Sequence, residues 1–373
     1  MPAEKNPISG HNIVSETSVN SPNNSQGGVV SSGNVGDNLF PWKSKQDSYR
    51  QALKYMSDIK FGNISTLKCG SPKLNEAFCN GFEWGSAICF AGRPGAGKSV
   101  LKEQLIREFY ELNPNEDFRT LDWDLEMIPR VTALREFSAV IGKSYKYLLS
   151  AEKDVFNQTI DKQEFDRLKE HVRNKRAYRD GLGLPIDVIE TPQTVKGFEA
   201  TVNAYMELHK KPDGTYTKVV VTVDHARLTL KDGMKETDML QELGAAIIRL
   251  KKKYHDSIII IVFNHLNRKV LEAARCENGK IGNYITDDDI LGSDSFLQNF
   301  DIVIAVDRPY KRKIEKYGPE MFIIDDPYLL IFHFLKIRNG DTRISFYQGE
   351  FDKMRIVERE APGTARSLNN VRN

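Results

Sequence analysis

Apolar residues along this chain gather in short unbroken runs, separated by stretches of helical length in which they recur every three or four positions. The runs 87–91, 186–189, 219–223, 258–263, 302–306 and 329–335 are rich in β-branched residues. An unbroken run of that kind is what a strand covered on both faces requires. Between the runs, 99–112, 163–176 and 236–253 carry the spacing of one helical face. Alternation of the two patterns over roughly 61–360 predicts an α/β domain with a mostly parallel, twisted sheet. Upstream, 45–60 places Tyr49, Leu53, Tyr55 and Met56 near helical spacing ahead of Gly62, which predicts a short amphipathic helix. Residues 1–44 differ in kind: 19 of the first 40 are Ser, Asn or Gly and no apolar period exists, so a disordered low-complexity tail is expected there. A second disordered tail is expected over 361–373.

Charge and length then limit what the chain can do. With 53 Lys+Arg against 51 Asp+Glu the formal charge is +2, so any site for a polyanion must be local. The longest purely apolar run, 258–263, is far short of the roughly 20 residues a membrane-spanning helix needs. No membrane partner is expected. The four cysteines Cys69, Cys79, Cys89 and Cys276 form no CxxC pair, and the start shows no basic segment followed by an apolar one, so free thiols in a reducing cytoplasm are expected.

Chemistry enters with Gly92-Arg93-Pro94-Gly95-Ala96-Gly97-Lys98-Ser99, a GxxxxGK[ST] phosphate loop set between a strand run and a helix pattern. Its glycines let backbone N–H groups turn in on a phosphate, Lys98 reaches the β and γ oxygens, and Ser99 offers a hydroxyl to Mg²⁺. ATP with Mg²⁺ is the expected ligand pair. The run 219–223 ends in Asp224, a carboxylate placed to hold the metal. A base must also activate the attacking water. Asp122, Asp124 and Glu126 all follow a second strand, and spacing does not choose among them.

In this company the chain resembles the hexameric replicative helicases of the DnaB type, which are related to the helicase halves of phage primase-helicases and of mitochondrial Twinkle. The resemblance covers about 64–358 and rests on motifs in order. Ile64-Ser65-Thr66 with Leu74 and Gly81-Phe82 resembles the opening segment, and 91–99 resembles the phosphate loop. Asp124-Leu125-Glu126-Met127 is similar to S-L-E-M, and Asp187-Val188-Ile189-Glu190-Thr191-Pro192 to the following strand and turn. His265-Leu266-Asn267-Arg268 is similar to Q-L-N-R, with His in place of Gln. Gly292-Ser293, Gln298 and Asp301 resemble the next segment, and Lys336-Ile337-Arg338-Asn339-Gly340 the late K-x-R-N-G.

The resemblance implies a RecA-like fold and an ATP-dependent helicase that moves 5′ to 3′ on single-stranded DNA and opens forks. It implies a homo-oligomer, expected to be a hexameric ring, in which the helix 45–60 links to a neighbouring subunit. It further implies Glu126 as the water-activating base, His265 as a sensor of the γ-phosphate, and Lys336 and Arg338 as fingers reaching the ATP of the adjacent subunit. DNA contacts are expected from Arg227 and Lys231 in one loop and from Arg268, Lys269, Arg275 and Lys280 in another, where a few cations per subunit suffice for backbone tracking. A primase or a helicase loader is an implied partner. The resemblance departs from the family upstream: about 44 residues precede the linker helix, without a collar or primase half, an economy that suits a phage or mobile-element helicase. Val223-Asp224-His225-Ala226 also departs, with His225 in place of an aromatic. The alternative reading is a RecA- or KaiC-like ATPase that assembles on DNA without separating strands.

Overall fold

The structure is a computed structural model that describes residues 45–125, 127–150, 159–181, 184–224, 233–277, 283–292, 294–338 and 340–364. The expected tail 1–44 and residues 365–373 lie outside this set, whereas 361–364 are described, and there Gly363 and Thr364 pair with Ile323 and Phe322. Backbone pairing thus continues as far as Thr364. No described helix is long and apolar enough to cross a membrane.

The elements run α1 (Lys45–Lys60), α2 (Pro72–Ala77), β1 (Ala87–Gly92), α3 (Lys98–Leu112), β2 (Phe118–Asp124), α4 (Pro129–Ile141), α5 (Tyr145–Leu149), α6 (Lys162–Gly181), β3 (Ile186–Ile189), α7 (Val195–Leu208), β4 (Lys218–Asp224) and α8 (Glu236–Tyr254). There follow β5 (Ile258–Asn264), α9 (Ala273–Cys276), α10 (Asp294–Leu297), β6 (Ile302–Asp307), β7 (Lys316–Tyr317), β8 (Phe322–Ile323), β9 (Leu329–Ile337), β10 (Arg343–Glu350) and β11 (Arg355–Arg359). By its contacts α1 belongs to a separate unit from the body that begins at Gly62. None of its residues is buried, and Tyr49, Leu53, Met56 and Ile59 stand exposed.

Among the described residues nine strands form one sheet in the order β11-β10-β9-β6-β1-β5-β4-β2-β3. The six from β6 to β3 are parallel, and β9, β10 and β11 add an antiparallel flank. The period-2 geometry of a strand explains why the runs are unbroken. Ile258, Ile260 and Val262 enter a core with α7 and α8, whereas Ile259, Ile261 and Phe263 enter a second core with α3 and β9. Each such Ile, taken fully out of water, contributes about 1.5–3 kcal/mol. The run 186–189 departs from this pattern. As β3 it is the edge strand, with Asp187 and Val188 exposed, so its apolar character does not mean cover on both faces.

Parallel strands bring their carboxyl ends to one edge. Register sets Asp124 beside Asp224, Asp224 beside Phe263, and Ala91 beside Asn264. An open α/β sheet binds its ligands at such an edge.

Candidate active site

β1 leaves the sheet at Gly92, and the chain turns through Gly95 and Gly97, at φ 76° and 93°, into α3. At Gly97 a Cβ would stand 2.7 Å from the Phe351 ring, so glycine is required by both backbone and space. Gly97 caps a helix of 15 residues whose first members are Lys98 and Ser99. The buried ammonium of Lys98 folds back over the loop and donates to the Gly92 carbonyl at 3.0 Å. A cavity of about 690 Å³ opens above it, lined by Lys98, Ser99, His265, Arg308, Lys311 and Phe351 among others. That volume is in the range of small-molecule sites.

Asp224 ends β4 with no exposed surface. Beside it on β2, Asp124 accepts a hydrogen bond from the Thr132 hydroxyl at 3.0 Å through Oδ2, while its buried Oδ1 has no hydrogen-bond partner. Asp122 behaves differently: it is held by Lys102 of α3 at 3.0 Å and by the Thr222 hydroxyl at 2.5 Å. Of the three carboxylates that spacing leaves open, Asp122 is thus committed to a buried ion pair. Glu126 lies outside the described residues, although Met127 beside it lines a cavity with Glu103, Asp122 and Asp124. Burial pushes the Glu103 carboxyl up to about 7 against the pull of the Lys102 ammonium. The donor set fits a divalent ion by its chemistry, since hard cations take oxygen ligands and Asp224 and Ser99 supply them next to the phosphate cradle.

His265 follows β5 and is buried, its Nδ1 3.3 Å from the Gly92 carbonyl. From there the chain is stitched to the segment 287–291. Asn264 donates to the Leu291 carbonyl at 2.7 Å, the Leu291 amide to His265 at 2.8 Å, and the Asn267 amide to Asp289 at 2.7 Å. Arg93 of the phosphate loop donates to the Leu266 carbonyl at 3.3 Å. Hydrogen bonds therefore join the phosphate loop to Leu266, and the adjoining 264–267 to the segment 287–291.

Two solved structures share this arrangement of strands and helices. One is an ATPase domain, which superposes with a TM-score of 0.64 at 15% identity, covering 85% of this chain and 99% of that one. The other is a DnaB-like replicative helicase, described with its interactions with primase, which superposes with a TM-score of 0.62 at 15% identity. It covers 83% of this chain and 66% of that one. The fold is the one these structures share. No protein-family model and no curated protein matches the sequence.

Within this fold the remaining predicted residues fall in three places. Lys336 and Arg338 come at the end of β9, which is antiparallel to β6 and pairs Ile337 with Ile302 and Lys336 with Val303. They therefore sit where β6 and β1 begin, while the phosphate loop starts where β1 ends. The five steps from Ala87 to Gly92 put about 16 Å of strand between those edges. Lys336 donates to the Leu297 and Gln298 carbonyls at 3.2 and 3.1 Å, and its ammonium is lowered by burial and by neighbouring Arg338. Arg338 is exposed and pairs with Asp301 at 2.8 Å.

Arg268 and Lys269 are exposed on a turn of helix after β5. Arg275 is committed elsewhere, to both Asp289 oxygens at 2.8 and 2.6 Å and to the Tyr284 carbonyl at 2.7 Å. Arg227, Lys231 and Lys280 lie outside the described residues, as does His225.

Two groups at the site are not evident from motifs. Arg308, just after β6, donates to the Gly95 carbonyl at 3.3 Å and lies over the Tyr328 and Phe351 rings at 5.1 and 4.9 Å. A cation leaving a strand adjacent to β1 is the signal that could have found it. The other is Lys102, which reads in sequence as an ordinary polar position of a helix.

Proposed function

We propose that the chain is a subunit of an ATP-dependent DNA helicase that hydrolyses ATP at seams between copies and moves on single-stranded DNA. The observation that carries the reading is the placement of Arg338 and Lys336 at the sheet edge remote from their own phosphate loop. A guanidinium there has no phosphate to meet within its own chain, yet in a head-to-tail ring that edge faces the loop of the next copy. Charge supplied in trans makes hydrolysis depend on assembly, and such a finger is worth on the order of 10³–10⁵ in rate.

Within one copy the roles divide as follows. Backbone amides of 92–99 and the ammonium of Lys98 grip the triphosphate, and Ser99 and Asp224 would hold Mg²⁺. When bound, that ion neutralises charge on the phosphates. The rings beside Arg308 offer a stacking surface for the base. Glu126 takes the proton of the attacking water, and His265, fixed against Gly92, relays the γ-phosphate's presence to loop 267–292. Arg268 and Lys269, with Arg227, Lys231 and Lys280, contact the DNA backbone. Arg275 instead braces the loop through Asp289. The exposed face of α1 docks on a second copy, whose groove between α4, α5 and α6, lined by Leu134, Phe137, Leu148 and Leu168, offers apolar cover.

A hexamer, 5′ to 3′ movement and a primase or loader partner belong to the same reading. Release of a labelled strand from a forked duplex, with ATP and Mg²⁺, tests it. An assembly that hydrolyses ATP with DNA but frees no strand would instead be the RecA- or KaiC-like alternative.

A further inference from the structure

Lys102 stands one turn beyond Ser99 on α3, and its side chain is wholly buried. Burial of an unpaired ammonium is costly, so its surroundings must supply negative charge. They do so from three elements. Its Nζ donates to Asp122 at 3.2 and 3.0 Å, and lies 3.7 Å from Asp124 and 3.9 Å from Asp224. Glu103, next along α3, is 3.3 Å away. Oxygens of Glu103, Asp122 and Asp124 fall within 4.8 Å of one another, close enough to share a metal ion. The Thr222 hydroxyl donates at 2.5 Å to Asp122 Oδ1, an oxygen that also accepts from Lys102. Four carboxylates thus surround one ammonium, one turn of α3 beyond Ser99.

Buried without water, the Lys102 ammonium has its charge answered by these carboxylates alone, Asp122 being the nearest. The position is therefore a cation site whose cation is covalently attached. We propose that Lys102 is the resident counter-cation of the ATP site: it holds Asp124 and Asp224 in place before nucleotide arrives and denies their carboxylates to a free divalent ion. The metal then enters with the triphosphate. Lys102 is a positioning residue, since it acts through Asp122, Asp124 and Asp224. The inference rests on the reading of this pocket as an ATP site, but its test uses neither nucleotide nor DNA, so its failure is separate from failure of the helicase reading.

Mn²⁺ binding to the full-length chain without nucleotide, followed by electron paramagnetic resonance and by thermal unfolding, is the experiment. Wild type and Lys102→Arg should bind no Mn²⁺ at submillimolar concentration and show no shift in melting temperature. Lys102→Met should bind Mn²⁺ about tenfold or more tighter and melt at a higher temperature when Mn²⁺ is added. Such a gain follows because repulsion between an ammonium and a divalent ion a few ångströms apart exceeds a tenfold change in affinity. Loss of structural support alone would lower the melting temperature without making it depend on Mn²⁺. Should Lys102→Met fail to fold, Lys102→Met/Asp122→Asn removes the paired charges together and is expected to show the same Mn²⁺ dependence through Asp124 and Asp224. Submillimolar Mn²⁺ binding by nucleotide-free wild type would overturn the proposal, as would a folded variant with no Mn²⁺ response.

Discussion

Arg338 pairs with Asp301 at 2.8 Å, and Asp301 in turn accepts from the Ala87 amide at 2.8 Å, so the guanidinium is moored where the central strand enters the sheet. The phosphate loop begins where that strand leaves. If Arg338 serves a neighbour's ATP, Arg338→Ala and Lys98→Ala damage different seams of a mixed ring. Each variant alone should fall by on the order of 10³ in ATPase. Mixing the two should restore part of the turnover, because some seams then join an intact loop to an intact finger. A mixture no more active than its parents speaks against action in trans.

Glu126→Gln removes the proposed base and leaves the cradle of 92–99 untouched. Nucleotide affinity should stay within about twofold, while turnover drops by on the order of 10²–10⁴, the usual worth of a general base. Equilibrium binding of a fluorescent ATP analogue beside steady-state ATPase reads both quantities. Normal turnover would assign the base elsewhere, with Asp124 next in line because its Oδ1 has no hydrogen-bond partner.

The α1 side chains Leu53 and Met56 are 67% and 65% exposed, more than a helix with no partner would be expected to leave in water. Leu53→Asp/Met56→Asp should leave the body from Gly62 folded, with an unchanged melting temperature, and shift the chain to smaller species in light scattering. An unchanged oligomer would remove α1 from the assembly.

His333 lies buried on β9, within hydrogen-bond distance of Tyr317, whose hydroxyl also bonds Asp307. Burial lowers its imidazole to about 4, against an ordinary value of 6.5. The folded chain therefore stays unprotonated where the unfolded chain takes up a proton. Stability from this group is fully present above about pH 6.5 and is lost as pH falls toward 4, by up to about 3 kcal/mol. His333→Gln should flatten the unfolding free energy over that window relative to wild type. Equal acid sensitivity of the two proteins would place the loss in other groups.

Much of this was legible in the sequence because the physics was local. The phosphate loop needs particular residues at fixed spacing, and the runs at 87–91, 219–223 and 258–263 can only be strands when both faces are covered. Asp224 and Gly97 follow from the same logic. Position across the sheet was not legible: nothing in 186–189 says edge strand, and nothing in 329–335 says antiparallel. It is that antiparallel course of β9 which carries Arg338 away from the glycine loop of its own chain. Lys102 was missed because a buried lysine differs from a solvated one only in what lies across from it, here Asp122 on the next strand. Arg275 reads as one more loop cation until its pairing with Asp289 is seen.

The proposed seam between copies is tested most directly by the ATPase rate per chain as the protein is diluted into the range of single copies, with ATP, Mg²⁺ and single-stranded DNA held constant. The account predicts that the rate per chain collapses by on the order of 10³ once single copies dominate. A rate per chain that stays constant into the monomer range would contradict it.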